Sequence, residues 1–326
     1  MPSMASAAPF PKTITEFDSM FATDAQCARY LADLRWPGGY ICPKCGHAKA
    51  WMSARWMFVC SKCRHQRNVA EGTLLYRTRQ PLRTWFRVAW TVCEQKNGIS
   101  ALGLQRALGF GSYHTAWQWL HRMRRAMVLP GRSKLSGEVE VDETFIGGVK
   151  HGGKRGRGAP GKALVLVAVE VRQHKRKPKL RAIGRTRLLV IPDAQAITLL
   201  SAVAELVDVG SNVVTDGLTS YNGLQLAGFN HTVSRSKPAV GYDPLPMCHR
   251  VISLVKRWLL GTHQGSVDRA FLQFYLDEFV FRFNRRSSGS RGLLFHRLLQ
   301  QAVAHPPIKK RDLLACAIIH YSPDIL

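Results

Sequence analysis

Glu138-Val139-Glu140-Val141-Asp142 alternates carboxylates with valines, and a period of two puts the acids on one face of an extended strand and the valines on the other. Upstream the period is different. From Pro81 to Ala126 the apolar residues Leu82, Trp85, Phe86, Val88, Ala89, Val92 and Cys93 recur at three- and four-residue steps, which predicts helix. Downstream, Ala163 to Val171, Leu180 to Ile191 (interrupted by Gly184), Asn212-Val213-Val214-Thr215-Asp216 and His231-Thr232-Val233 read as strands. Between them Asp193 can cap a helix through Ala194, Ile197, Leu200, Val203 and Leu206, and Cys248 to Leu260 is a further helix. Three strands, a helix, a strand and then mixed elements predict an α/β domain.

Asp142 and Asp216 each end or nearly end a hydrophobic strand, 216 − 142 = 74 residues apart. Carboxylates so placed can converge across a sheet. A converged pair can hold Mg²⁺ ions about 4 Å apart, one activating an attacking oxygen and the other stabilising a leaving oxygen in phosphoryl transfer. Taken singly, each Asp reads as readily as a helix or turn cap.

Ahead of this domain stand Cys42-Pro43-Lys44-Cys45 and Cys60-Ser61-Lys62-Cys63, with the remaining cysteines scattered. Two such knuckles can close four thiolates round one tetrahedral Zn²⁺, a structural site that folds a ribbon from Trp36 to about Asn68. Four buried structural thiols are the plainer alternative, and His47 and His65 lie close enough to substitute as ligands. Next, Ser100 can cap a helix through Leu102, Leu104 and Leu108, Gly109-Phe110-Gly111 breaks it, and Ser112 opens a second helix. This predicts a helix-turn-helix. Tyr113, His114, Thr115 and Gln118 would face base edges, while Arg122, Arg124 and Arg125 meet phosphates. A helical linker with a solvated basic face fits the same residues.

The 326 residues carry 47 Lys+Arg against 21 Asp+Glu, so 47 − 21 = +26, and 46% of them are hydrophobic. The chain can bury a core, which excludes wholesale disorder. Such a charge points to a polyanion, nucleic acid before an acidic membrane surface. The charge is concentrated: between Thr144 and Pro192 only Glu170 is acidic, against thirteen Lys+Arg. Lys150, Lys154, Arg155, Arg157 and Lys162 lie in the Gly-rich stretch that begins at Gly147, whose backbone can approach phosphates closely. No GxxxxGK[ST] occurs, so nucleotide hydrolysis on a P-loop is excluded. The longest apolar runs, such as Ala163 to Val169, fall short of a membrane span. Met1 to Pro11 shows no secretory signal, which predicts a cytoplasmic chain.

The ribbon, the helix-turn-helix, Val141-Asp142-Glu143-Thr144-Phe145-Ile146-Gly147-Gly148, Thr215-Asp216-Gly217 with Tyr221, and Tyr275-Leu276-Asp277-Glu278-Phe279-Val280-Phe281-Arg282-Phe283-Asn284-Arg285-Arg286 occur in that order. In this the chain resembles a bacterial insertion-sequence transposase of the DDE type. The resemblance implies an RNase H-like mixed-sheet catalytic domain, with Asp142 on its first strand and Asp216 on its fourth. It also implies Mg²⁺ or Mn²⁺ at that site and a cut that frees a 3′-hydroxyl for attack on target DNA. The partners would be double-stranded DNA, both terminal inverted repeats and target, and further copies of the chain on that DNA, in a cytoplasmic, nucleoid-associated setting. The expected organisation is a helical arm (1–35), the zinc ribbon (36–70), the helix-turn-helix region (71–130), the catalytic domain (136–286) and a helical tail (287–326).

One position departs from the family. Its third metal-site residue is typically Glu with a basic residue seven positions later, but 249 − 216 = 33 residues past Asp216 stands His249, followed by Lys256. Positions i and i+7 share a helix face. A neutral imidazole can ligate metal, and suits Mn²⁺ better than Mg²⁺; it can also position water or phosphate, or simply cap or fill a core. Lys256 meets phosphate near the scissile bond or faces solvent. Glu140 and Glu143 read as solvated or supporting acids, and Glu278 lies too far along the chain to replace the third acid. Phe271, Phe274, Tyr275, Phe279, Phe281 and Phe283 read as a core-packing helix face. Arg285 and Arg286 in the tail motif would face DNA or cap the site. Three rival functions fit the sequence: an inactive relative acting as a repressor, a nuclease that cuts without joining, and a zinc-ribbon regulator whose acids are structural.

Overall fold

The computed structural model describes residues 9–76, 80–129, 131–147, 162–174, 176–235, 242–265 and 267–308. They divide into two compact units, one of residues 9–129 with 287–308 and one of residues 131–286.

The first unit opens with α1 (Ile14–Met20) and α2 (Asp24–Arg35), the latter started by a reciprocal capping box between Thr23 and Gln26. The ribbon follows as an antiparallel three-stranded sheet of β1 (Ala50–Met52), β2 (Met57–Cys60) and β3 (Gln66–Asn68). Then come α3 (Leu82–Glu94), α4 (Ala101–Leu108) and α5 (Tyr113–Ala126). The Ser100 side chain accepts from Gly103 N at 3.0 Å and the Ser112 side chain from His114 N at 3.2 Å. Gly109, at φ +68°, ends α4 in the left-handed conformation that glycine adopts at little cost.

The second unit is built on β4 (Glu138–Ile146), β5 (Ala163–His174), β6 (Lys177–Ile191), α6 (Ala196–Leu206), β7 (Asn212–Thr215), β8 (Asn230–Val233), α7 (Pro246–His263) and α8 (Leu272–Phe283). Its five strands lie in the order β6-β5-β4-β7-β8. The first three in sequence form an antiparallel meander, whereas β7 runs parallel to β4 and β8 parallel to β7. This order and these directions are those of the mixed sheet that the resemblance implies. One face packs on α6 through Val139, Val141, Leu166, Leu199 and Val203, the other on α7 and α8 through Val165, Val167, Val251, Val255 and Leu276. The interior strand β5 is buried on both faces through Val169, which is why Ala163 to Val169 is an unbroken apolar run instead of an alternation.

Three local features differ from the sequence reading. Asp142 sits in the middle of β4, which continues to Ile146. Asp193 does not cap α6; its carboxylate closes a turn on Gln195 N at 3.0 Å and the helix begins at Ala196. Gly184 does not interrupt β6 but marks a bulge, where the pairing steps from Val169↔Thr186 to Val171↔Ile183. A Cβ at position 184 would lie 2.9 Å from Glu170 Cβ.

Glu170, 2% exposed, accepts from Ser136 N (3.2 Å), Arg185 N (3.1 Å), Arg185 Nε (2.9 Å) and Arg172 (2.7 Å). Burial pushes its carboxyl up, but the Arg185 bonds outweigh that and bring it down to about 2. A carboxyl held below its unfolded value stabilises the fold at neutral pH, and that stabilisation is lost as pH falls from the ordinary glutamate range toward 2. Glu170→Gln is therefore expected to cost about 3 kcal/mol at pH 7 and to flatten this part of the acid-unfolding curve. Superimposable wild-type and variant curves would contradict it.

The last described helix, α9 (Arg291–Ala304), lies within the first unit. Its buried Leu294, Phe295, Leu298 and Leu299 complete the core of that unit. Phe295 meets Phe17, Phe21, Phe86 and Trp90 at ring-centre distances of 5.5, 5.6, 5.9 and 5.7 Å, and the Tyr30 hydroxyl lies 2.6 Å from His296 Nδ1. Phe295→Ala is expected to destabilise this unit by about 3–5 kcal/mol, read by thermal unfolding; an unchanged midpoint would place α9 outside the core. No helix among the described residues is long and apolar enough to cross a membrane.

Candidate active site and zinc site

The four ribbon cysteines bring their Sγ atoms within 4.8 Å of one another. Cys42 to Cys63 and Cys45 to Cys60 are each 3.6 Å apart, close to the roughly 3.8 Å edge of a tetrahedron with 2.3 Å Zn–S bonds. The two knuckles share one backbone design. Cys42 N donates to His47 O (3.0 Å) and Gly46 N to Cys42 O (2.9 Å), just as Cys60 N donates to His65 O (3.0 Å) and Arg64 N to Cys60 O (3.1 Å). Gly46 and Arg64 close the turns at φ +70° and +58°. His47 and His65 thus serve through their carbonyls, and the metal-binding group comprises the cysteines alone. The amide of Cys63 lowers the Cys60 thiol against the opposing effect of burial, with that of Lys62 adding to it, whereas at the neighbouring Cys45 the lowering by the His47 amide is outweighed by contacts with the other cysteines, which raise the thiol, so these thiols share their ionisation. Around the site Tyr40, Trp36, Ala50 and Phe58 supply a small apolar cluster.

In the five-stranded sheet the parallel register is Glu138↔Asn212, Val139↔Val213, Glu140↔Val214; continued two residues, past the end of β7 at Thr215, it would bring Asp142 level with Asp216. Both belong to the face on which α7 packs, because Glu140 and Val214, two residues back, already meet that helix: Glu140 bonds its first turn and Val214 joins its core cluster. The Asp142 side chain is 16% exposed, with Oδ2 at 3.3 Å from His249 Nε2, and Oδ1 accepts from Glu143 N at 2.8 Å. On the far side of the imidazole, Nδ1 lies 2.7 Å from Asp243 Oδ1. Burial raises the Asp142 carboxyl, His249 and the Glu143 amide oppose the rise, and Asp216 adds to it. Lys256, on the His249 face of α7, is lowered by burial and then by Lys162, while Asp142 pulls it the other way. Asp142, Asp216, His249 and Lys256 are thereby one electrostatic neighbourhood, with Lys162 at its rim.

The arrangement fits a divalent cation. Two carboxylates side by side, one of them mostly out of water, hold each other's charge at a cost that a cation removes. The set is looser than the ribbon's: among the described residues, only the four cysteines place three or more potential ligand atoms within 4.8 Å of one another.

The structure gives Glu140 a role that the alternating pattern did not reveal. It is fully buried, and its Oε2 accepts from Met247 N (2.8 Å) and Cys248 N (2.9 Å), capping the first turn of α7 after Pro246. The strand that carries Asp142 therefore anchors the helix that carries His249. Glu143 points to the other face, where it accepts the Tyr221 hydroxyl. Gly217 follows Asp216 at φ +91°, and a Cβ there would lie 2.6 Å from Val233 Cγ1. Only glycine makes the turn that presents Asp216, whose Oδ1 accepts from Leu218 N at 3.0 Å.

Among the residues expected on DNA, Arg125 is exposed and Arg122 half-buried, its guanidinium 5.9 Å from the Trp85 ring. Arg124 is 1% exposed. That corrects its expected phosphate role, since Ala116, Leu120 and Arg124 repeat at four-residue steps along the buried stripe of α5. Arg286 donates to Ile183 O and Phe283 O, and Arg285 donates to Phe281 O at 3.0 Å. Asn284 pairs with Thr186 through both N–H (2.8 Å) and C=O (3.0 Å), so this motif ties the end of α8 to β6. Lys150, Lys154, Arg155 and Arg157 lie outside the described residues.

Residues 134–284 match the ISXO2-like transposase domain, and residues 22–66, a span that includes α2, match the transposase zinc-ribbon domain. The chain is 25% identical over 275 residues to an uncharacterized protein in transposable element ISH50 of Halobacterium salinarum, covering 80% of this chain and 91% of that protein. The catalytic core domain of BIV integrase aligns with 58% of this chain and 100% of its own at 16% identity and a TM-score of 0.32, a likeness too slight to carry an argument.

Proposed function

We propose, from the matches to the ISXO2-like transposase domain and the transposase zinc-ribbon domain, a DNA transposase that cuts at terminal inverted repeats and joins the freed 3′ ends to target DNA. The observation that supports this reading is the register of β4 and β7, which, carried on from Glu140↔Val214, would bring Asp142 level with Asp216, together with the approach of His249 and Lys256 of α7 to Asp142. Asp142, Asp216 and His249 would hold the divalent metal, Mg²⁺ or Mn²⁺, which when bound supplies activation of the attacking oxygen and neutralisation of charge on the phosphate. Lys256 and Lys162 place ammonium groups where they meet phosphate oxygens at the rim. Arg125 and the exposed Tyr113 and His114 at the start of α5, together with the basic ribbon, bind the repeats. Two ends handled together call for at least two copies on DNA, in the cytoplasm and at the nucleoid.

The experiment that tests the third position is His249→Glu. A carboxylate there is expected to retain or raise cleavage in Mg²⁺ and to weaken the preference for Mn²⁺. Complete loss in both metals would show that the imidazole does what a carboxylate cannot. The contacts of His249 with Asp142 and Asp243 favour one second reading, an end-binding repressor whose site is closed to metal, for which no variant at 249 would restore cleavage.

A further inference from the structure

A glutamate in the third position presents two equivalent oxygens, whereas an imidazole must offer the correct nitrogen. If Nε2 carries the proton, the ring donates to Asp142; if Nδ1 carries it, Nε2 keeps a lone pair for a cation. Packing does not settle the choice, for the His249 side chain is 45% exposed. Asp243 does. Its Oδ1 lies 2.7 Å from His249 Nδ1 and also accepts from Leu245 N at 3.0 Å. Leu245 is fully buried, and its carbonyl accepts His249 N at 2.9 Å in the first turn of α7. Asp243, Leu245 and His249 therefore form one braced unit, itself pinned to β4 through Glu140.

We propose that Asp243 is a positioning residue that holds His249 in the Nδ1–H tautomer, so that Nε2, on the Asp142 side, is the nitrogen offered to a divalent cation. This rests on the reading of His249 as a metal-site residue. A carboxylate behind a ligating imidazole fixes ring orientation and raises its basicity, and removing such a partner lowers metal affinity about 10- to 100-fold. Asp243 would touch neither metal nor DNA.

The test uses the full chain with ¹⁵N-labelled imidazoles, first without metal at a pH where the ring is neutral, with the His249 signal assigned by its absence in His249→Gln. Long-range ¹H–¹⁵N correlations are expected to show Nδ1–H in the wild type and a shift toward Nε2–H in Asp243→Ala. Mn²⁺ is then added as the probe. Its affinity is expected to fall about 10- to 100-fold in Asp243→Ala, and the imidazole nitrogen coupling in the spin-echo spectrum of bound Mn²⁺ to disappear. Asp243→Asn keeps an oxygen for Leu245 N and so preserves the turn; it is expected to lie between the two, which separates positioning from a folding defect. A wild-type Nε2–H tautomer, or a nitrogen coupling and affinity that survive in Asp243→Ala, would overturn the proposal while leaving His249 a ligand. No nitrogen coupling in the wild type, together with unchanged Mn²⁺ affinity in His249→Gln, would overturn the ligand reading and the proposal with it.

Discussion

Asp142→Asn and Asp216→Asn are each expected to reduce strand cleavage by at least about 1,000-fold, roughly 4 kcal/mol of transition-state stabilisation, while binding to the terminal repeats stays within about twofold of wild type. The asymmetry follows from the site. Asparagine has nearly the shape of aspartate, and Asp142 is already raised by burial and by Asp216, so removing one charge relieves the apo protein. Its Oδ1 contact with the Glu143 amide can persist. What disappears is the second anionic oxygen donor that a divalent cation demands. Cleavage of end-labelled repeat DNA and a gel-shift titration on the same preparation check both halves. Loss of binding along with cleavage would make the acids structural.

Cys42→Ser, or exhaustive chelation, is expected to unfold the ribbon and abolish repeat binding while the thermal signature of the catalytic unit survives. The ribbon has three strands of three or four residues and a buried cluster of little more than Tyr40, Cys42 and Cys60. A core of that size cannot offset the chain entropy of the ribbon. Metal binding must supply the difference, on the order of 10 kcal/mol in comparable small sites. Zinc content by elemental analysis should fall from one equivalent to none in step with the loss of binding. A variant free of zinc that binds the repeats normally would sink the assignment.

What was legible in the sequence is what local chemistry writes. The alternation through Glu138 to Asp142 marked β4, the paired CxxC spacing marked the Cys42, Cys45, Cys60 and Cys63 quartet, and Ser100 and Ser112 stood out as helix caps. What stayed hidden depends on partners far along the chain. Glu140 looked like one acid among several, because its hydrogen bonds go to amides 107 and 108 residues away. Asp243 sits in a turn where any Asp would pass as a local cap, which it also is. Arg124 was read as a basic surface residue, whereas its four-residue spacing from Ala116 and Leu120 already put it on the buried stripe. The return of α9 to the first unit left no local mark, since an apolar helix face does not say which core it completes.

The central claim is that these residues cut and join DNA. Its most direct test incubates the purified chain with DNA that flanks its own gene, in Mg²⁺ and separately in Mn²⁺, and maps strand breaks and joined 3′ ends, with Asp142→Asn as control. The account predicts breaks at paired inverted repeats and 3′ ends joined to target DNA, both absent in the control. Specific binding to those repeats with no break in either metal would contradict it and leave a repressor built on a transposase fold.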